Sequence, residues 1–238
     1  MSDPRFGRTA ALLGREALVK LQNSCICVVG LGGVGSYAFE ALVRSGVGKL
    51  IIIDHARVDI TNLNRQLIAL ESTIGTFKTE AAAKRAREIN PGVEIVGHNA
   101  FIDETNIESF ITDGVDYIID AIDSVTSKLI LAEYALGKAI PIISCMGTGN
   151  KLHPERLRVS DISKTSVDPL ARVIRTELRK RGVKKLEVVW SDEEPLLKGE
   201  DLPLDANGRK VPASIAYVPS AAGILLASVA VNRITGNA

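Results

Sequence analysis

The sequence predicts an α/β fold of the Rossmann-like kind, a mostly parallel sheet with helices on both faces, and three observations predict it. Short apolar runs recur, among them Ile26-Cys27-Val28-Val29, Leu50-Ile51-Ile52-Ile53 and Tyr117-Ile118-Ile119. They alternate with longer segments of helical periodicity. The first run leads directly into Gly30-Leu31-Gly32-Gly33-Val34-Gly35. Strands buried on both faces read as unbroken apolar runs, and the helices between them supply the crossovers that parallel pairing needs.

Taken in order, Leu12, Leu13, Ala17 and Leu21 predict one helix over 9–22. Residues 26–29 are too few for a helix and end at Gly30, so they form a strand. A helix over 33–45 closes at the breaks Gly46 and Gly48, and 49–54 is the second strand. The helix over 78–88 stops at Asn90-Pro91-Gly92. Further strands fall at 93–96, 117–120 and 140–144. Residues 168–185 predict a helix with Leu170, Val173, Ile174 and Leu178 on one face. The apolar run 215–231 is interrupted by Pro219 and Gly223 and falls short of the roughly 20 residues that cross a bilayer. A buried core or interface helix, with no stable membrane insertion, is the expectation there. The chain reads as one domain over 1–238, with a nucleotide-binding core at 24–150, a basic substrate-facing segment at 151–185, and a C-terminal extension completing the sheet.

Composition narrows the function classes. The 238 residues carry 29 Lys or Arg against 28 Asp or Glu, a net charge of +1, and 46% are hydrophobic. Those proportions are ordinary for a globular protein and exclude a disordered, collagenous or coiled-coil chain. The near-zero sum conceals a segregation. Residues 151–185 hold eleven Lys or Arg and four Asp or Glu, whereas 186–210 hold seven acidic and three basic residues. Cys25, Cys27 and Cys145 include no CxxC pair, which excludes both a disulfide framework and a paired-cysteine zinc site. Cys25 and Cys27 are expected to be buried and inert, and Cys145, near the site, to be either a small buried residue or a thiolate that forms a covalent intermediate. The polar start Met1-Ser2-Asp3-Pro4 carries no secretory signal, and a cytoplasmic location is expected.

The glycines Gly30, Gly32, Gly33 and Gly35 form GxGxxG between a strand and a helix. Such a loop turns tightly and brings phosphate to backbone N–H groups at the positive end of the helix. Asp54 ends the next strand, nineteen residues after Gly35, where a carboxylate accepts ribose hydroxyls. Up to this point NAD and ATP fit equally. Asn62 and Arg65 in Thr61-Asn62-Leu63-Asn64-Arg65-Gln66, and Lys78 after Gly75-Thr76-Phe77, then bring polar and cationic side chains beside the loop. Attack on the α-phosphate of ATP builds negative charge that fixed cations neutralise. Asp123, at the end of a later strand, is a candidate ligand for Mg²⁺ shared with ATP phosphates, and Asp120 is either a second ligand or a cap of the strand end.

The stretches GLGGVGS, SGVG, IIIDHARVDITNLNRQ, GTFKTEAAAKRAREINP and IIDAIDS, in this order, resemble the ubiquitin-activating-type adenylyltransferases over roughly residues 5–150. The resemblance implies ATP-dependent adenylation of a carboxylate in a homodimer. Asp54 would take the ribose, Asn62, Arg65 and Lys78 the phosphates, and Asp123 the metal. Arg8, in Arg5-Phe6-Gly7-Arg8, would reach the ATP of the partner copy. Three more stretches are similar to the tRNA threonylcarbamoyladenosine dehydratases within that group: Arg5 to Gly14, Ser163 to Leu170, and Pro212 to Gly223. That resemblance implies activation of a threonyl carboxylate on tRNA, then a cyclising dehydration. It also leaves room for a sulfur-transfer partner protein.

On the helix expected from 168, Arg172, Arg175 and Arg179 project from the polar face, with Lys164 just before it. Such a row of cations suits an RNA phosphate backbone. Rival readings are an adenylyltransferase acting on the C-terminus of a ubiquitin-like sulfur-carrier protein, a non-catalytic nucleotide-binding partner protein, and an NAD-dependent dehydrogenase. No general base is assigned, and His55, His98 and His153 are expected at the surface.

Overall fold

The computed structural model describes residues 3–197, 199–204, 208 and 210–237; Met1 and Ser2 of the polar start, and Lys198, Asp205 and Arg209 between the basic segment and the apolar run, lie outside the described residues. The strands are β1 (Cys25–Val29), β2 (Lys49–Ile53), β3 (Glu94–His98), β4 (Tyr117–Asp120), β5 (Ile142–Cys145), β6 (Leu157–Asp161) and β7 (Glu187–Ser191). They join in one sheet ordered β3-β2-β1-β4-β5-β7-β6. Every neighbouring pair is parallel except β6–β7, which is antiparallel and ends the sheet. The expected C-terminal extension therefore completes the sheet with two strands.

Alternation along each strand divides the core into two layers. Ile26, Val28, Leu50 and Ile52 face one layer, and Cys27, Val29, Ile51 and Ile53 the other. Helices α1 (Gly7–Leu13), α2 (Arg15–Gln22), α3 (Gly35–Ser45), α4 (Lys78–Ile89), α5 (Ile107–Phe110), α6 (Val125–Gly137), α7 (Pro169–Lys180) and α8 (Tyr217–Thr235) surround the sheet. Phe39 and Leu42 of α3 and Ala222 and Leu226 of α8 belong to the first layer, whereas Leu131 of α6 and Ile174 of α7 belong to the second. Burial of the apolar strands contributes about 25 cal/mol per Å² removed from water, which is what selects this layered arrangement. The edge strands carry charge instead, Glu94 on β3 and Arg158 on β6, which discourages further strand pairing.

Three expectations change. The single helix over 9–22 is two helices, because Gly14 adopts φ +91° between them, and Leu12 is 85% exposed rather than buried. The helix over 168–185 ends at Lys180, and Gly182 follows with φ +80°. Asp168 caps its start by accepting the Ala171 N–H at 2.9 Å, and Pro169 occupies the first turn. The buried face is Ala171, Ile174 and Leu178 with Leu170 packed beside it, as expected except that Val173 is exposed. The run 215–231 becomes α8, whose 19 residues are long and apolar enough to cross a membrane. Half of that helix is buried inside the fold, with Val218, Ala222, Leu226, Ala227 and Ala230 in the core, as a core helix requires.

Candidate active site

The strand order reverses at β1, which lies between β2 and β4, so a crevice opens beyond the carboxyl ends of these strands. A cavity of about 830 Å³ occupies it, lined by Gly30, Gly32, Gly33, Asp54, Asn62, Arg65, Lys78 and Asp123. Gly35 stands behind the loop and begins α3, where a Cβ would lie only 1.7 Å from the Gly30 carbonyl oxygen. No side chain fits there, so the glycine is what allows the loop to fold onto the helix.

Asp54 has more to do than its position after β2 suggested. One carboxylate oxygen accepts the Leu31 N–H at 2.7 Å and the other the Ala56 N–H at 2.8 Å. It therefore ties the glycine loop to the chain leaving β2. A carboxylate offers about four acceptor sites, so capacity for two ribose hydroxyls remains.

Lys78 opens α4, held there by its backbone N–H donating to Ala56 O at 3.0 Å. Its side chain is buried, at 8% exposure for the residue, and its ammonium has no hydrogen bond or ion pair among the described residues. A cation at the positive end of a helix costs stability. At the wall of this cavity the same arrangement is a site for anionic groups.

Arg65 is half-buried, its guanidinium donating to Thr61 O at 3.0 Å and to Asn64 Oδ1 at 2.9 Å. Burial lowers its pKa from the ordinary value and the nearby Asp123 opposes that shift, so it remains a cation at neutral pH. Asn62 lies in the same short turn, where its Oδ1 accepts the Asp59 N–H at 3.2 Å. Gln66, one residue after Arg65, lines the cavity with a buried Oε1 that has no hydrogen-bond partner among the described residues. Such an orphaned acceptor fits a bound polar ligand.

The two aspartates expected at the end of β4 separate. Asp123 is exposed at the cavity and keeps its carboxylate available. Asp120 is fully buried and accepts the Lys128 ammonium at 2.7 Å and the Ser144 hydroxyl. Its other oxygen accepts the Ile122 N–H at 3.1 Å. Lys128, also fully buried, donates further to Ser144 Oγ at 3.0 Å and to Cys145 O at 2.9 Å. With this network filled, Asp120 is not a candidate metal ligand, and its expected role is corrected to bracing the loop that carries Asp123. No group of three or more metal-binding side chains occurs among the described residues. One open carboxylate does fit Mg²⁺, which takes one or two protein carboxylates with phosphate and water.

Cys145 lines the cavity but is 3% exposed, and burial pushes its thiol up to about 12. It is an inert core residue at neutral pH. Arg8 is exposed on α1 and is not part of the cavity wall of its own chain. Lys164, just before α7, and Arg172 and Arg179 on it are exposed. Arg175, expected on the same open face, is half-buried, and its guanidinium donates to Thr165 O at 3.0 Å and to the Thr165 hydroxyl. It is held by the preceding loop instead of facing solvent.

Sequence reasoning missed Lys128, Gln66 and Lys151, and the stack of His55 on Phe101 in the cavity wall, with ring centroids 3.4 Å apart. Lys128 did leave a signal: it is the one Lys in α6 and leads directly into the apolar run Leu129-Ile130-Leu131-Ala132, where a charge needs a partner.

The profile of the ThiF family matches residues 6–237. The chain is 45% identical over 231 residues to the tRNA threonylcarbamoyladenosine dehydratase of Bacillus subtilis (strain 168), covering 93% of this chain and 91% of that one. It superposes with a TM-score of 0.89 and 34% identity on E. coli tRNA N6-threonylcarbamoyladenosine dehydratase, TcdA, in complex with ATP, covering 98% and 94% of the two chains. E. coli MccB with ATP matches at a TM-score of 0.69 and 19% identity, a likeness of fold. On the profile match over nearly its whole length, the chain belongs to the ThiF family.

Proposed function

We propose that this chain uses ATP to activate the threonyl carboxylate of threonylcarbamoyladenosine in tRNA and then closes a ring with release of AMP. The observation that carries this reading is Lys78, a residue only 8% exposed at the wall of the nucleotide cavity, whose ammonium has no partner among the described residues. The substrate comes from the relatives, which bear the name tRNA threonylcarbamoyladenosine dehydratase at 45% and 42% identity.

In the first step a carboxylate oxygen attacks the α-phosphorus, and pyrophosphate leaves. Lys78 and Arg65 neutralise the charge that develops there, Asp54 holds the ribose, and Asn62 and the loop N–H groups orient the phosphates. In the second step a nitrogen of the threonylcarbamoyl group attacks the activated carbonyl. The carbon–oxygen bond to AMP breaks, and the nitrogen's proton passes to solvent, giving net loss of water. Both reacting groups already belong to one substrate, so positioning supplies most of this step. Asp123 would hold Mg²⁺, which supplies further charge neutralisation at the phosphates.

The same reading takes a homodimer in which Arg8 of each copy faces the other's nucleotide, a cytoplasmic location, and tRNA held by Lys164, Arg172 and Arg179. A sulfur-transfer protein is a further candidate partner, and the buried Cys145 is poorly placed to receive sulfur from it.

The test incubates the protein with ATP and Mg²⁺, and with either tRNA bearing threonylcarbamoyladenosine or a sulfur-carrier protein ending in Gly-Gly. AMP release with the RNA, accompanied by an 18-dalton loss from the modified nucleoside, is expected. AMP or adenylate formed only with the carrier protein would reject the RNA substrate.

A further inference from the structure

The cavity has a second charged wall that the steps above leave without a role. Lys151 and Asp168 both line it and pair across 3.2 Å, with side chains 1% and 0% exposed. The Lys151 ammonium also donates at 2.8 Å to the carbonyl of Gly147, two residues beyond β5. Asp168 meanwhile caps α7 through Ala171. A Cβ on Gly147 would sit 3.3 Å from both carboxylate oxygens of Asp168, so loop and carboxylate are in close contact. One ion pair thus joins the loop that walls the cavity to the first turn of the helix carrying Arg172 and Arg179.

Stability does not account for such a pair, since buried ion pairs seldom outperform apolar residues of similar volume. Its geometry does. The pair sets where α7 begins relative to the cavity, and α7 is the surface to which the preceding reading assigns the RNA. We propose that Lys151 and Asp168 are positioning residues that register the tRNA-facing helix against the ATP cavity, so that the substrate carboxylate arrives in line with the α-phosphate. This rests on the function proposed above.

Three variants test it. Asp168→Asn keeps a good helix cap and breaks the charge pair. Lys151→Met keeps the aliphatic stem and removes the ammonium. The double variant removes both charges, so neither is left buried alone. With modified tRNA and ATP, each single variant is expected to lower kcat for AMP release about tenfold to a hundredfold. KM for tRNA and for ATP should stay within about threefold, since the groups that bind them are untouched. The double variant is expected to recover much of the Tm lost by the single variants yet remain at least about tenfold slow, which separates register from stability. Single variants with wild-type kcat overturn the proposal, as does a double variant whose rate returns together with its Tm. A wild-type chain that releases no AMP from the modified tRNA rejects the function first, and this role with it.

Discussion

In the nucleotide cleft each charge is placed by the fold. Lys78 sits at the first turn of α4 and is 8% exposed, Arg65 is clasped by Thr61 and Asn64, and Asp120 with Lys128 lies out of solvent altogether. Around α7 the charges stand in water: Lys164, Arg172 and Arg179 are exposed, and Lys180 pairs with Glu177 at 2.7 Å on the surface. A fixed charge in a sheltered cavity acts on charge developing beside it and needs no reorganisation. Exposed charges are screened beyond about 8 Å at physiological salt and act on a polyanion by their number. One region therefore concentrates its effect in a few residues, and the other distributes it. Arg175 marks the boundary, because it lies on the basic helix yet is held by the Thr165 loop.

This contrast orders the effects of substitution. The largest belongs to the fully buried pair: Lys128→Met leaves the Asp120 carboxyl buried without its charged partner and should destabilise the fold by about 3–5 kcal/mol in urea melts. A loss under 1 kcal/mol would show that Asp120 is less dependent on Lys128 than its burial implies. Next is Lys78→Ala, expected to lower single-turnover AMP release by about a hundredfold to a thousandfold. Its stability should hold or rise slightly, since a cation leaves the positive end of a helix. A simple weakening of ATP binding with unchanged kcat would move Lys78 from chemistry to binding.

On the exposed side, Arg172→Ala with Arg179→Ala should reduce the steepness of log affinity for tRNA against log salt by about two. Arg175→Ala should leave that slope alone and instead lower Tm through loss of its loop contacts. An equal change of slope from Arg175 would return it to the open face.

The smallest effect concerns the buried thiols. Burial raises Cys145 from the ordinary 9.0 to about 12 and Cys25 to about 11. Both are neutral in the folded chain until well above the pH at which they ionise when unfolded. Their contribution is therefore present below pH 9 and is lost as pH rises toward 11 and 12. Cys145→Ala should flatten the alkaline end of the stability curve while changing AMP release less than about twofold, as for an inert core thiol.

Legibility followed the range over which information is encoded. The start of α4 at Lys78, the span of β4 and the end of α3 at Ser45 follow from neighbouring residues, and so they were readable. The break at Gly14 was not, since a glycine within a helical pattern signals a turn only once its φ is known. On α7 the reading of Leu170, Ile174 and Leu178 as the inner face holds, whereas Val173, beside Ile174 in sequence, is exposed because the core contacts the narrower stripe that Ala171 completes.

By itself the sequence determined the α/β class, the glycine loop, the acidic residue after the second strand and the segregation of basic charge. All of these are written in periodicity, spacing and composition along the chain. Only the tertiary structure decided which charges are free and which are spent. Asp120 and Asp123 lie three residues apart, yet one is locked to Lys128 and Ser144 while the other opens onto the cavity. Lys151 meets Asp168, and Arg175 turns to Thr165, through contacts between separate elements. Pairing and burial are properties of atoms brought together across the sheet, and they change what a charged group can do by more than its identity does.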